Sequence, residues 1–273
     1  MKEFRARHFS LAHMLVAFIS QHLFQNYTYT IRHGLAAGMR RKGGLGFLPI
    51  DRPETPEITF LRKLSFEAKV IYDIGAFEGI LTLFFSRKGR KVVAYEPNPR
   101  NYARCLDNVR LNHLNNVQVL NRGVSDRAGN IELIYDPLMP GAGSGEKDIA
   151  QQIGSSVKTS QKVQIPIVSL DDDIRLNGLP EPDFIKIDIE GMEFPALKGM
   201  ERTLRDRHPE LFIEMHGATA TEKMEITHAV IDLLESHSYR AYDIESGRYL
   251  ERSNIENRPP GHLYATHHLG LGS

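Results

Sequence analysis

Val70-Ile71-Tyr72-Asp73-Ile74-Gly75-Ala76-Phe77-Glu78-Gly79 runs directly into Ile80-Leu81 and Leu83-Phe84. Its first five residues are apolar and β-branched enough to read as a buried parallel strand, and the apolar positions after Gly79 recur at helical spacing. The stretch is strand, tight turn, helix. In open α/β sheets such a turn lies at the carboxyl ends of the strands, where small molecules bind and glycine lets a backbone approach them closely. A ligand site is expected around Asp73, Gly75, Ala76, Phe77 and Gly79.

A glycine-rich turn does not name its ligand. The next apolar run, Lys91 to Tyr95, leads into Glu96-Pro97-Asn98-Pro99 and places a carboxylate 21 positions after Gly75. From there an acid takes both hydroxyls of an adenosine ribose, so the adenosine half of a cofactor is implied. Nicotinamide and methyl-donor cofactors share that half. The pattern Asp73-x-Gly75-x-Phe77-x-Gly79 lacks the middle glycine that seats a pyrophosphate, and it sets Asp73 and Glu78 around the loop, where they repel phosphate. A ligand carrying an ammonium and a sulfonium suits that field better than NAD.

These residues resemble a known family. Asp73-Ile74-Gly75-Ala76-x-x-Gly79, Glu96-Pro97-Asn98-Pro99, Ser169-Leu170-Asp171-Asp172 and above all Phe184-Ile185-Lys186-Ile187-Asp188-Ile189-Glu190-Gly191-Met192-Glu193 look like the FkbM-type methyltransferases. The resemblance runs from about Leu61 to about Tyr242. It implies a Rossmann-like class I methyltransferase fold, α/β, with a seven-stranded mostly parallel sheet and helices on both faces. It also implies S-adenosyl-L-methionine as cofactor and O-methylation as the reaction. The family carries Asn and an apolar residue where this chain has Phe77 and Glu78.

With 273 residues, 41% of them apolar and 25% charged, the chain suits one soluble α/β domain, residues 61–273, behind an N-terminal extension, residues 1–60. The formal net charge is zero, which removes a global electrostatic case for nucleic acid. One cysteine, Cys105, excludes an internal disulfide and fits a reducing, cytoplasmic setting. Up to Lys42 there are seven Lys/Arg against one acid, Glu3. Leu11, Leu15, Phe18 and His22 form a helical stripe within this basic segment, but polar residues interrupt it and it is too short to span a membrane. It reads as a helical arm, with peripheral membrane contact through residues 1–42 as the other reading.

Val117 to Leu120 is a third strand, and the turn Gly123-Val124-Ser125-Asp126 follows it. In class I methyltransferases the residue after this strand lies near adenine, so Ser125 or Asp126 faces the base or else Asp126 bonds its own turn. Ile131 to Tyr135 and Val163 to Val168 read as strands flanking a Gly/Ser-rich segment, residues 137–160, of a length typical of lids and surface loops. Asp171-Asp172-Asp173 reads as a charge cluster at a helix N-terminus.

A fourth strand, Phe184 to Ile189, is expected to set Lys186, Asp188 and Glu190 on one face by alternation. A fifth, Leu211 to His216, brings Glu214 and His216 to the same edge. Methyl transfer is an in-line displacement in which the protein aligns the acceptor, removes its proton and excludes water. His216 is the natural base, since an unperturbed imidazole titrates near pH 6.5. Asp188, Glu190 and Glu214 complete the catalytic set, and Asp188 also serves the cofactor beside Glu96, Pro97 and Asn98. No metal is assigned, because nothing in the spacing fixes a ligand geometry. The acceptor is a small molecule or a glycan- or lipid-linked group. Two rivals remain: a tRNA methyltransferase, from the likeness of Glu96-Pro97-Asn98-Pro99 with Asn108 and Asn112, and a non-catalytic module that keeps the fold.

Overall fold

The computed structural model describes residues 24, 26–44, 54–136, 139–144, 161–255 and 259–267. The stripe expected between Phe9 and Phe24 lies almost wholly outside them, as do residues 145–160. In chain order the elements are a hairpin, β1 (Thr28–Thr30) and β2 (Arg40–Lys42), then α1 (Pro56–Lys63), β3 (Val70–Ile74), α2 (Ile80–Ser86), β4 (Lys91–Tyr95), α3 (Pro99–Leu111) and β5 (Val117–Leu120). Then come β6 (Gly123–Ser125), β7 (Gly129–Asp136), β8 (Met139–Ser144), β9 (Gln161–Ser169), α4 (Leu170–Asn177) and β10 (Phe184–Ile187). The chain continues through α5 (Glu193–Lys198), α6 (Glu201–Arg207), β11 (Glu210–Glu214), α7 (Ala220–Ser236), β12 (Arg240–Asp243), β13 (Arg248–Leu250) and β14 (His262–Thr266).

The main sheet has the order β13-β12-β14-β11-β10-β3-β4-β5. From β11 to β5 neighbouring strands are parallel, whereas β14, β12 and β13 are added antiparallel. Every residue of β3 is buried, as a strand covered on both faces requires. Val70, Tyr72 and Ile74 pack with Ile174 of α4, Leu197 of α5, Leu204 of α6 and Val230 and Leu234 of α7. Ile71 points the other way, toward Leu61 of α1 and Phe84 and Phe85 of α2. Helices therefore cover both faces, and alternation along β3 joins the two cores.

The sheet has eight strands rather than the expected seven. The extra strand, β13, follows the turn Asp243–Gly247 and is only three residues long, too short for periodicity to mark it. Gly123 to Ser125 is likewise a strand instead of a turn, pairing in parallel with β9 in a second sheet of order β6-β9-β7-β8. Within the segment expected to be a loop, residues 139–144 form β8 against β7.

Residues 26–44 of the N-terminal extension form a hairpin and its last residues begin α1, while the stripe on which the helical arm was expected lies outside the described residues but for Phe24. Asn side chains of α3 complete the hairpin's edge: Lys42 N donates to Asn108 Oδ1 at 2.8 Å, Arg40 N donates to Asn112 Oδ1 at 2.7 Å, and Asn112 Nδ2 returns a bond to Arg40 O at 2.6 Å. Among the described residues no helix is long and apolar enough to cross a membrane.

Candidate active site

The turn after β3 is built by its neighbours. Gly75 has φ +80°, and a Cβ there would lie 1.8 Å from the Asp188 carbonyl oxygen. Glycine is required because the loops after β3 and β10 touch, rather than because a ligand presses on this atom. At Gly79, φ +84°, a Cβ would lie 2.6 Å from Cys105 Sγ of α3, which gives the buried cysteine its packing role.

Four of the turn's backbone donors are engaged. Gly75 N and Ala76 N donate to Tyr95 O at 3.0 Å each, Gly79 N donates to Ala76 O at 2.8 Å, and Phe77 N donates to Glu96 Oε2 at 2.8 Å. A pyrophosphate would find none of these N–H groups free, consistent with the missing middle glycine. The acids expected to set the field are also neutralised within the fold. Asp73 is wholly buried, accepting from Thr82 Oγ1 at 2.5 Å and lying 3.4 Å from Lys186 Nζ, and Glu78 pairs with Arg41 of the hairpin.

Glu96 sits at the end of β4, 4% exposed, and receives N–H bonds on both oxygens, from Phe77 N and from Asn98 N at 2.8 Å. Burial pushes its carboxyl up to about 7 against those bonds. Lys186 is buried on β10, its Nζ 2.8 Å from Gly75 O, 3.2 Å from Asp188 Oδ2 and 3.4 Å from Asp73 Oδ1. Burial opposes its charge, but Asp188 and Asp73 outweigh it and hold the ammonium above its ordinary value. Lys186 thus clamps the ends of β3 and β10 together.

A cavity of about 340 Å³ opens at this edge, within the range of small-molecule sites. Of the expected cofactor residues, Gly75, Phe77, Glu96, Pro97, Asn98 and Asp188 line it, while Asp73, Ala76, Gly79, Ser125 and Asp126 do not. Ser125 is instead buried in β6, its hydroxyl 3.2 Å from Asp126 Oδ1. Residues that the sequence reading missed supply the rest of the lining: Arg122, Gly123 and Val124 around β6, and Ile131, Ile165 and Ile167 from β7 and β9. Two-residue alternation along β9 was the available signal for Ile165 and Ile167.

Of the four expected catalytic residues, Asp188 and Glu190 line the cavity and Glu214 and His216 do not. Strand β10 ends at Ile187, so the three polar residues are not set on one face by alternation. Glu190 and Gly191 adopt left-handed conformations, φ +54° and +101°, turning the chain toward α5. His216 still joins the group. Its Nδ1 lies 2.9 Å from the wholly buried Glu193, and its Nε2 lies 3.4 Å from Glu214, 3.8 Å from Glu190 and 3.9 Å from Asp188. Burial resists the ring's charge, yet the bonds to Glu193 and Glu214 raise the imidazole to about 10. In this state the ring donates rather than accepts, at odds with the expected base. Burial, with Asp188 and Glu214 nearby, raises the Glu190 carboxyl despite His216.

A family model, the methyltransferase FkbM domain, matches residues 73–241. Methyltransferase sdnD of Sordaria araneosa is 30% identical over 159 residues, covering 48% of this chain and 60% of that protein. Hexuronic acid methyltransferase AglP of Haloferax volcanii is 28% identical over 166 residues, covering 61% and 64%. The 2-O-methyltransferase NoeI of Sinorhizobium fredii is 26% identical over 178 residues, covering 61% and 71%. The chain spans less than two thirds of the length of the first two relatives. The matched span runs from the end of β3 into β12 and contains every residue of the cavity's polar edge, and the chain belongs to the FkbM methyltransferase family.

Proposed function

We propose that the chain transfers the methyl group of S-adenosylmethionine to a hydroxyl of a sugar or sugar-linked acceptor. The observation that carries this reading is one cavity lined together by Glu96, the apolar Ile131, Ile165 and Ile167, and Asp188 and Glu190. Beyond the two backbone N–H bonds and a bond from the Asn101 side chain, the Glu96 carboxylate keeps accepting capacity for a ribose hydroxyl, and the isoleucines offer an apolar wall to adenine. Asp188, fixed by Lys186, is placed for the donor's ammonium end or for the acceptor. The names of the relatives acting on a hexuronic acid and at a 2-oxygen support a sugar hydroxyl.

The chemistry follows. The acceptor oxygen attacks the sulfonium methyl carbon in line; a C–O bond forms, the S–C bond breaks and its electron pair returns to sulfur, leaving S-adenosylhomocysteine. The hydroxyl proton passes to Glu190, chosen because it lines the cavity two residues beyond Asp188 whereas His216 does not. Residues 61–273 carry this chemistry. The basic segment 1–42, with seven cations against one acid, supports contact with an anionic membrane surface bearing a lipid-linked acceptor.

The test is transfer of labelled methyl to a panel of uronic acids, neutral sugars and their glycosides. Transfer to at least one sugar hydroxyl is expected, with Glu190→Gln lowering kcat by about 10²–10⁴ while S-adenosylmethionine still binds. Binding of the donor without transfer to any hydroxyl would favour a non-catalytic module.

A further inference from the structure

Beside the cavity three carboxylates face one imidazole nitrogen. His216 Nε2 lies 3.4 Å from Glu214 Oε1, 3.8 Å from Glu190 Oε2 and 3.9 Å from Asp188 Oδ1. A ring nitrogen carries at most one hydrogen, so it can satisfy one of the three. Glu214 also reaches His262 Nε2 at 3.6 Å, and His262 Nδ1 lies 2.6 Å from Glu245 Oε1. That chain of acids and imidazoles accounts for Glu214. Among the described residues it leaves Asp188 Oδ1 and Glu190 with no Lys or Arg of their own beside Nε2, since Lys186 sits at the other Asp188 oxygen.

A second observation points to what fills the space. Glu193 is wholly buried, its Oε1 2.9 Å from His216 Nδ1, and its Oε2 has no hydrogen-bond partner among the described residues. A buried carboxylate on Nδ1 that aims Nε2 at other acids is the arrangement that orients imidazole metal ligands. One ligand atom from each of Asp188, Glu214 and His216 lies within 4.8 Å of the other two. Adjacent ligands around a divalent cation with ordinary bond lengths are about 2.9–3.7 Å apart; His216 Nε2 to Glu214 lies in that range at 3.4 Å and His216 Nε2 to Asp188 just outside it at 3.9 Å, so rotation of the two carboxylate side chains closes the set on an ion.

We propose that Asp188, Glu214 and His216 bind one divalent cation, which takes the place of the proton on His216 Nε2 and releases it to solvent, with Glu193 positioning the imidazole and Glu190 within reach as a further oxygen donor. Two carboxylates and one imidazole suit Mn²⁺ and its first-row neighbours. Asp188 lines the cavity, so the ion's open positions face the acceptor side, where two vicinal sugar oxygens would complete its shell. That role rests on the methyltransferase reading, whereas cation binding does not.

The experiment is a Mn²⁺ titration of the full chain without methyl donor, read by loss of the free-ion electron paramagnetic resonance signal. One Mn²⁺ per chain is expected. Glu214→Gln and His216→Asn should each weaken binding at least tenfold, Glu193→Gln should weaken it about 10–100-fold, and Glu132→Gln, exposed on β7 and paired with Lys162, should leave it unchanged. Wild-type protein that takes up no Mn²⁺ at millimolar concentration overturns the site, as does a Glu214→Gln chain that binds like wild type or a Glu132→Gln chain that does not bind. Should the variants unfold, the wild-type titration and a Mn²⁺-dependent rise in its melting temperature decide. S-adenosylmethionine binding measured in EDTA reads the donor site separately, so a chain that binds the donor but no Mn²⁺ loses the cation site alone.

Discussion

Gly75→Ala strikes the joint that brings the two site-bearing loops together. Alanine at φ +80° occupies the left-handed region, costing about 1–2 kcal/mol. Its Cβ would meet the Asp188 carbonyl oxygen at 1.8 Å and carbon at 2.9 Å. The loops cannot part freely, because Asp188 N donates to Ile74 O at 3.1 Å and Lys186 Nζ donates to Gly75 O at 2.8 Å. Relieving the overlap displaces backbone at a further cost of about 1–3 kcal/mol, so about 2–5 kcal/mol is expected in all. Gly178→Ala is the control: φ is +59° at the C-terminal end of α4, with nothing within 4 Å of the added Cβ, so only the conformational cost of about 1–2 kcal/mol applies. Urea unfolding of both variants at constant m gives the difference, and the Gly75 variant should also bind S-adenosylmethionine more weakly. Equal destabilisation by the two alanines would refute the close-approach argument.

Two further outcomes follow from the buried charges. Lys186→Met removes the ammonium between Asp73 and Asp188, and breaking such a buried set should cost about 3–5 kcal/mol in urea unfolding; a loss under about 1 kcal/mol would show that the clamp contributes little. Glu96 carries its carboxyl at about 7 in the fold against 4.5 ordinarily, so between those values the folded state holds more protons than the unfolded one and stability falls as pH rises. That gap corresponds to about 3 kcal/mol lost by pH 7–8. Wild-type stability measured relative to Glu96→Gln should therefore decline from pH 5 to pH 8, and a flat or rising difference contradicts the burial argument.

The fold was legible where the sequence repeated one period over a whole element. The continuous apolar runs of β3, β4 and β10 announced a parallel sheet, and Pro99 after Asn98 marked the start of α3, whose N-cap Asn98 accepts from Arg100 N. Strand β13 and the β1–β2 hairpin were not legible, because three-residue strands carry too few positions to show a period. Glu96, Asn98, Asp188 and Glu190 could be placed at one edge from strand ends alone. The Ile131, Ile165 and Ile167 wall could not, since it depends on how the second sheet docks. Lys186 beside Asp73, Arg41 beside Glu78 and Glu193 beside His216 come from other elements of the chain, so these ion pairs were set by contacts that local pattern does not contain.

The central claim is that the cavity beside Glu96 is a methyl-donor site. It is tested most directly by isothermal calorimetry of S-adenosylmethionine binding to the purified chain and to Glu96→Ala. One molecule bound per chain is predicted, with the variant weakened about tenfold or more through loss of a charge-assisted hydrogen bond. No heat with S-adenosylmethionine or S-adenosylhomocysteine, or a Glu96→Ala chain that binds as tightly as wild type, would contradict the account.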